Sequence, residues 1–233
     1  MSTRHTLVCL PPLDNPKDWA AAIDEAIEPY GDDIYTWTAF ERYDSHFAIR
    51  PGTQPLTGAV IQSPRVYGTL RCSGGRRGLL DFDAMREQRA RQAATLFDAW
   101  EMATADMAPA VPLSDFRRLQ PQAPHLAQVK FRAQPQIRVL EGLDVPRSRP
   151  RDGEAVALVA LDRDSFIARA RQRAVPGDLL LTADGTLHAN PAFVNADDDD
   201  ETGSARYLNL ANAYLDELPP DHLVLGLDCR LAG

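Results

Sequence analysis

Apolar side chains along this chain fall either into short, nearly continuous runs or into helical spacings, and the two patterns mark out most of its elements. Thr6 to Leu10 is a compact apolar run closed by Pro11-Pro12, which cannot extend a sheet ladder, so it reads as a buried strand. Asn15 or Asp14 then caps a helix with Pro16 at its first position. Trp19, Ala22, Ile23, Ala26 and Ile27 recur along it at helical spacing, and Pro29 with Gly31 ends it. Ile34 to Ile49 mixes aromatic and β-branched residues and predicts one or two strands. Ala59 to Arg71 predicts a further strand region, interrupted at Pro64. Asp81 or Asp83 caps the clearest helix, Asp83 to Met107. It carries Ala90, Ala93, Ala94, Phe97, Trp100 and Thr104 on one stripe and Arg86, Arg89 and Arg91 opposite.

From Ala108 to Gly153 the pattern breaks. Pro109, Pro112, Pro121, Pro124, Pro135, Pro146 and Pro150 interrupt it too often for long elements, with room only for a short strand at Ala127–Phe131 or Gln136–Leu140. This stretch reads as an insertion or linker outside the core. Ala155 to Leu161 is nearly all apolar and predicts a buried strand. Asp162 or Asp164 caps a helix through Phe166, Ile167 and Ala170 to about Arg173. Asp178–Thr182 and Thr186–His188 flank Ala183-Asp184-Gly185, a hairpin signal. Asp197 to Glu201 is a solvated acidic loop, Tyr207 to Leu215 a helix stopped by Pro219-Pro220, and His222 to Leu231 a closing strand.

These elements add up to an α+β fold, a ferredoxin-like or related split β-sheet covered by helices on one side, with a proline-rich insertion. Thr6–Leu10 and Leu223–Asp228 are expected as neighbouring central strands. The expected organisation is an α+β half over 1–107, the insertion over 108–153, and a second α+β half over 154–233 packed with the first as one domain.

Charge and composition narrow the function. A net charge of −8 argues against a general nucleic-acid binder, which needs a basic face for phosphates. Lys occurs only at Lys17 and Lys130, so Arg supplies the other cations. Cys9, Cys72 and Cys229 form no CxxC, which removes metal-finger and disulfide-scaffold readings. The first apolar run is too short for a signal peptide, and no stretch approaches the ~20 apolar residues of a membrane span, so a cytoplasmic protein is expected.

One loop carries chemistry. Ser73, Gly74, Gly75, Arg76, Arg77 and Gly78 sit between a strand and a helix. Successive glycines can turn backbone N–H groups into an anion-binding concavity, and arginine forks suit phosphate or carboxylate. The spacing is neither a P-loop nor G-x-G-x-x-G. The plain alternative is a turn whose arginines face solvent or pair with Asp81 and Asp83. The histidines His5, His46, His125, His188 and His222 show no metal spacing, and no cofactor or metal site is expected. A Cys229 nucleophile beside Asp228 is weighed against a buried, inert thiol.

The opening H-T-L-V-C-L-P-P, the S-G-G-R-R-G, the T-A-D-G-T-L-H hairpin and the terminal L-G-L-D-C together resemble a group of uncharacterised small proteins of actinobacteria and their phages. Arg77 stands where that group has an aromatic residue, and Arg230 where it ends in histidine. The resemblance implies an accessory cytoplasmic protein of mobile-element origin. The leading expectation is a binding or interaction protein, holding an anionic small molecule or protein partner at Ser73–Gly78 with Asp81 nearby. The alternatives are an enzyme acting on a phosphorylated or nucleotide-like substrate, and a structural or assembly protein.

Overall fold

The strand that opens the fold is buried on both faces from Thr6 onward, because successive apolar residues leave neither side for water. The computed structural model describes residues 3–31, 34–39, 46–53, 65–66, 69–143, 152–191 and 201–231. The chain is a mixed α+β protein whose residues divide into two compact units, Met1–Arg86 with Gln172–Gly233, and Glu87–Arg171.

The first unit holds the sheets. Its strands are, in chain order, β1 (Thr3–Leu10), β2 (Ile34–Ala39), β3 (Phe47–Ala48), β4 (Arg65–Val66), β5 (Thr69–Cys72), β6 (Gly74–Arg76), β7 (Leu179–Leu181), β8 (Leu187–Ala189) and β9 (Leu223–Leu231). The main sheet runs β2-β9-β1-β7-β8, with β6 also paired to β9, and β3-β5-β4 form a second sheet. β1 and β9 are antiparallel neighbours, Thr6 opposite Leu227 and Leu10 opposite Leu223, as the two apolar runs predict. β7 and β8 form the predicted hairpin, turning at Gly185 with φ 84°.

Helices cover both faces of this sheet, which corrects the one-sided expectation. Val8, Leu10, Leu181, Leu223, Leu225 and Leu227 pack with Trp19, Ile23 and Ile27 of α1 (Trp19–Ile27). Leu7, Cys9, Leu180 and Val224 face the other way, in one cluster with Tyr207, Leu208, Ala211 and Leu215 of the 201–217 helix. The reason lies in β1 and β9 themselves, since a strand apolar at every position must be covered twice. The strand order does not support ferredoxin-like connectivity either. There the second strand of the intervening hairpin lies beside the first strand and antiparallel to it, whereas here the first hairpin strand, β7, lies beside β1 and parallel to it, and β8 lies outside.

The helices that follow α1 are α2 (Phe82–Thr104), α3 (Leu113–Leu119), α4 (Pro124–Arg132), α5 (Pro135–Gly142), α6 (Asp152–Ala160), α7 (Arg163–Gln172) and α8 (Glu201–Glu217). Asp81 caps α2 by accepting from the Ala84 amide at 3.0 Å, and Asp162 caps α7 by accepting from the Ser165 amide at 2.8 Å.

The helical unit corrects three readings. The 108–153 stretch contains helices α3, α4 and α5 instead of short strands, and Pro124 and Pro135 start helices rather than break them. At a first helical position the missing N–H has no partner to lose and the fixed φ already suits the helix. Nor does the stretch lie outside a core: Leu113, Ala127, Phe131, Ile137 and Leu140 are buried with Ala93, Leu96 and Phe97 of α2. Ala155–Leu161 is mostly the helix α6, not a strand. Its Ala155, Ala157 and Leu158 are buried and Val156 and Val159 partly so, and an apolar run buried nearly all round has no period to separate helix from strand. The compact units therefore differ from the expected halves. The predicted strand over 59–64 and the acidic tract over 197–200 fall outside the described residues.

Phe131, 3% exposed, tests the new assignment. Phe131→Ala is expected to cost about 3–4 kcal/mol in denaturant unfolding, as for a core aromatic. A linker residue would change stability by under about 0.5 kcal/mol.

Candidate functional site

Gly74–Arg76 runs alongside β9 as the strand β6, and Arg77–Leu79 follows as a single 3-10 turn. Gly74, Gly75 and Arg76 lie opposite Leu225, Val224 and Leu223, and Ser73, Gly74 and Gly75 are buried. The glycine at 74 serves close approach: a Cβ there would meet the Val224 carbonyl oxygen at 2.6 Å and the Leu225 Cα at 2.8 Å. The Ser73 carbonyl accepts from the Gly226 amide at 2.7 Å. Farther on, the Arg77 amide donates to the His222 carbonyl at 2.7 Å and the Gly78 amide to the Pro220 carbonyl at 2.8 Å.

An anion nest needs consecutive amides turned together through a left-handed residue. Among the described residues the glycines with positive φ are Gly52 and Gly185, not those of this loop. Where a concavity is expected at Ser73–Gly78 there stand the short strand β6, whose Gly74 admits the β9 backbone, and the turn Arg77–Leu79.

The two arginines part company. Arg76 is exposed. Arg77 is turned inward: its Nε donates to the Leu215 carbonyl at 2.7 Å, its Nη2 lies 3.7 Å from Asp216 Oδ1, and its guanidinium stands 4.3 Å from the Phe82 ring centroid. Burial pulls Arg77 below its ordinary value, and Asp216 opposes that shift. Arg86 joins the knot, reaching Asp216 Oδ1 at 3.0 Å and Oδ2 at 2.9 Å and Asn212 Oδ1 at 2.9 Å. Both cations serve the carbonyl end of α8, where positive charge is favoured. Asp81, expected near a ligand, is the α2 cap, and its amide donates to the Ala48 carbonyl at 2.8 Å.

The fold also joins two histidines that lie far apart in sequence. The His5 and His46 rings meet edge to face, with centroids 4.5 Å apart. Around them the His5 amide donates to Asp178 Oδ2 at 3.1 Å, the Asp178 amide donates to the His5 carbonyl at 2.6 Å, and Arg71 donates to the His46 carbonyl at 2.8 Å. Tyr207, 5% exposed, donates to the Gly177 carbonyl at 3.0 Å. Desolvation lowers His46 to about 4, helped by Arg71 and opposed by the Val175 carbonyl. His46 is therefore neutral near neutral pH. Its Nε2 must carry the proton, because the Val175 carbonyl 2.8 Å away can only accept. Spacing along the chain gives no hint of this pair, since His5 lies on β1 and His46 directly before β3, in different sheets.

The remaining sequence candidates stay apart. Cys9, Cys72 and Cys229 are all buried. Burial pushes the Cys72 thiol up to about 12 and raises the other two, so none is a ready nucleophile. Among the described residues no cluster of His, Cys, Asp or Glu is arranged to hold a metal ion, and no helix is long and apolar enough to cross a membrane.

The helical unit carries the largest departure from an ordinary surface. Among the described residues seven large apolar side chains are exposed, and six of them lie between Met102 and Val129. Met102 is 77% exposed and Leu119 75%, with Met107, Val111, Leu126 and Val129 beside them in sequence. An open cleft of about 350 Å³ has Met107 to Ala110 on one wall and Gln134 to Gln136 on the other. The glutamines fix those walls. Gln134 accepts from the Val111 amide at 2.7 Å and donates to its carbonyl at 2.9 Å, while Gln136 Oε1 accepts from the Ala110 amide at 3.0 Å. No sequence motif announces this surface, because scattered apolar residues declare themselves only once their exposure is known.

Comparison of the chain with protein-family models, curated proteins and solved structures finds no match.

Two outcomes check this geometry. Gly74→Ala is expected to lose about 1–3 kcal/mol or more in chemical denaturation, while Arg76→Ala stays within about 0.5 kcal/mol of wild type. For His46 the folded value lies below the ordinary 6.5, so its contribution is full above that value and is lost as pH falls toward about 4. Over that window the loss amounts to about 3 kcal/mol. The stability gap between wild type and His46→Gln should therefore narrow as unfolding is measured from about pH 7 down to about pH 4.5. A gap that does not change with pH contradicts the neutral buried imidazole.

Proposed function

We propose that this is a binding or interaction protein that engages a macromolecular partner through the helical unit Glu87–Arg171. The observation that supports the reading is the concentration of exposed large apolar side chains on that unit, from Met102 to Val129. Each costs about 25 cal/mol for every Å² of apolar surface left in water, and a partner that covers them removes that cost. The charge distribution runs the same way. Glu87–Arg171 has 13 cationic and 11 acidic side chains, whereas the rest of the chain has 12 and 22.

A small anion held at Ser73–Gly78 has less in its favour, since Arg77 and the Arg77 and Gly78 amides already have partners within the protein. The enzyme reading, on a phosphorylated or nucleotide-like substrate, rests on those same arginines and weakens with them.

The test begins with capture of partners by the tagged protein from the cells that make it, followed by titration of the purified partner. Leu119→Ser/Val129→Ser is expected to weaken that measured affinity by roughly tenfold or more while leaving the melting temperature in place. The reading fails if no purified partner binds, or if one binds and these substitutions leave its affinity unchanged.

A further inference from the structure

We infer that the partner segment is an acidic, amphipathic stretch of protein, which lays carboxylates along α4 and α5 and puts an apolar side chain into the cleft between Met107–Ala110 and Gln134–Gln136. The inference rests on the docking reading above and adds the chemistry of what docks.

Residues 108–138 contain five cations, Arg117, Arg118, Lys130, Arg132 and Arg138, against one acid, Asp115, in a protein of net charge −8. On α4, Ala127 and Phe131 turn into the core, which leaves His125, Leu126, Val129, Lys130 and Arg132 exposed. Apolar and cationic groups therefore share one outward surface, with Lys130 and Arg132 flanking Leu126 and Val129, and Arg138 is exposed on α5. A partner matches this surface only if it brings apolar contact and negative charge in the same few ångströms. A helix with carboxylates flanking an apolar stripe does so.

Other polyanions match half of it. A nucleic-acid backbone would satisfy the cations but leave Leu119, Leu126 and Val129 beside phosphate, and the sheet-bearing unit, with its excess of ten acids, would repel it. An anionic bilayer is met by one continuous, convex apolar helix face. Here the exposed apolar groups are spread over the end of α2, the connection that carries Met107 and Val111, the end of α3, and α4, with a concave cleft between Met107–Ala110 and Gln134–Gln136 whose walls are held by Gln134 and Gln136. A concave site takes in an inserted side chain.

The experiment titrates the full chain with labelled synthetic peptides of about 15 residues, enough for roughly four helical turns. One has leucines at helical spacing with glutamates elsewhere, a second replaces every glutamate by glutamine, and a third replaces every leucine by serine. A DNA duplex and vesicles of mixed phosphatidylserine and phosphatidylcholine complete the set. The leucine–glutamate peptide should bind at least roughly tenfold more tightly than either control peptide, and added salt should weaken it. Lys130→Glu/Arg138→Glu should abolish the preference for glutamate over glutamine at an unchanged melting temperature.

Equal binding of the glutamine peptide overturns the acidic partner and leaves the docking surface standing. Binding of the duplex or the vesicles without the acidic peptide overturns it in favour of that other class. Silence from every probe also overturns it, and the captured partner then decides the docking reading on its own. The peptide series needs no variant, so a charge reversal that unfolded the protein would not shelter the inference.

Discussion

The antiparallel ladder between Thr3–Leu10 and Leu223–Leu231 joins two segments from opposite parts of the sequence, and the sheet-bearing unit is arranged around it. β9 carries β1 along one edge and both β2 and β6 along the other, so one nine-residue strand sets the position of three more. Because β1 and β9 are apolar at nearly every buried position, the ladder is stable only when both faces are covered, and α1 and α8 are held to opposite sides by that need. Pairings so distant in sequence reward the chain only after a large loop has closed. The glycine at 74 shows how tight the finished ladder is, since one methyl group there would sit inside the van der Waals radius of the β9 backbone.

That constraint explains why glycines and arginines that look like a ligand loop work inward. Both glycine-rich anion nests and close strand approaches need residues without a Cβ, and sequence alone does not separate them. The neighbouring chemistry does. Arg77 lies within reach of the last turn of α8, whose carbonyls lack helical partners, and its guanidinium is engaged by the Leu215 carbonyl, Asp216 and the Phe82 face. A side chain held on three sides fastens α8 to the entry of α2 and has little left for a ligand.

What the sequence made legible was whatever depends on local pattern. The β1 and β9 runs, the Ala183-Asp184-Gly185 turn and the long amphipathic α2 were all readable, since a period or a turn residue specifies each one. The misreadings share one physical source, which is that the deciding information lay outside the segment. Proline at 124 and 135 breaks a helix or starts one according to where the helix begins. An apolar run such as Ala155–Leu161 forms strand or helix according to what surrounds it. The His5–His46 contact and the exposed Leu119 are properties of the assembled protein, and no spacing rule reaches them.

The two units also divide the physical work. The sheet-bearing unit buries its polar chemistry: His46 neutral, three thiols raised by burial, Arg77 and Arg86 committed to Asp216. Groups fixed in that way gain rigidity and lose the freedom to meet a substrate. The helical unit does the opposite, leaving leucine, valine and methionine in water beside arginine and lysine. Its own core of Leu113, Phe131, Ile137 and Leu158 is well covered, so the exposed apolar groups are not the remainder of an incomplete interior. The proposed docking rests on this contrast, a surface that costs solvation energy while its own core is satisfied, and the cations flanking the apolar groups are what the proposed acidic segment would meet.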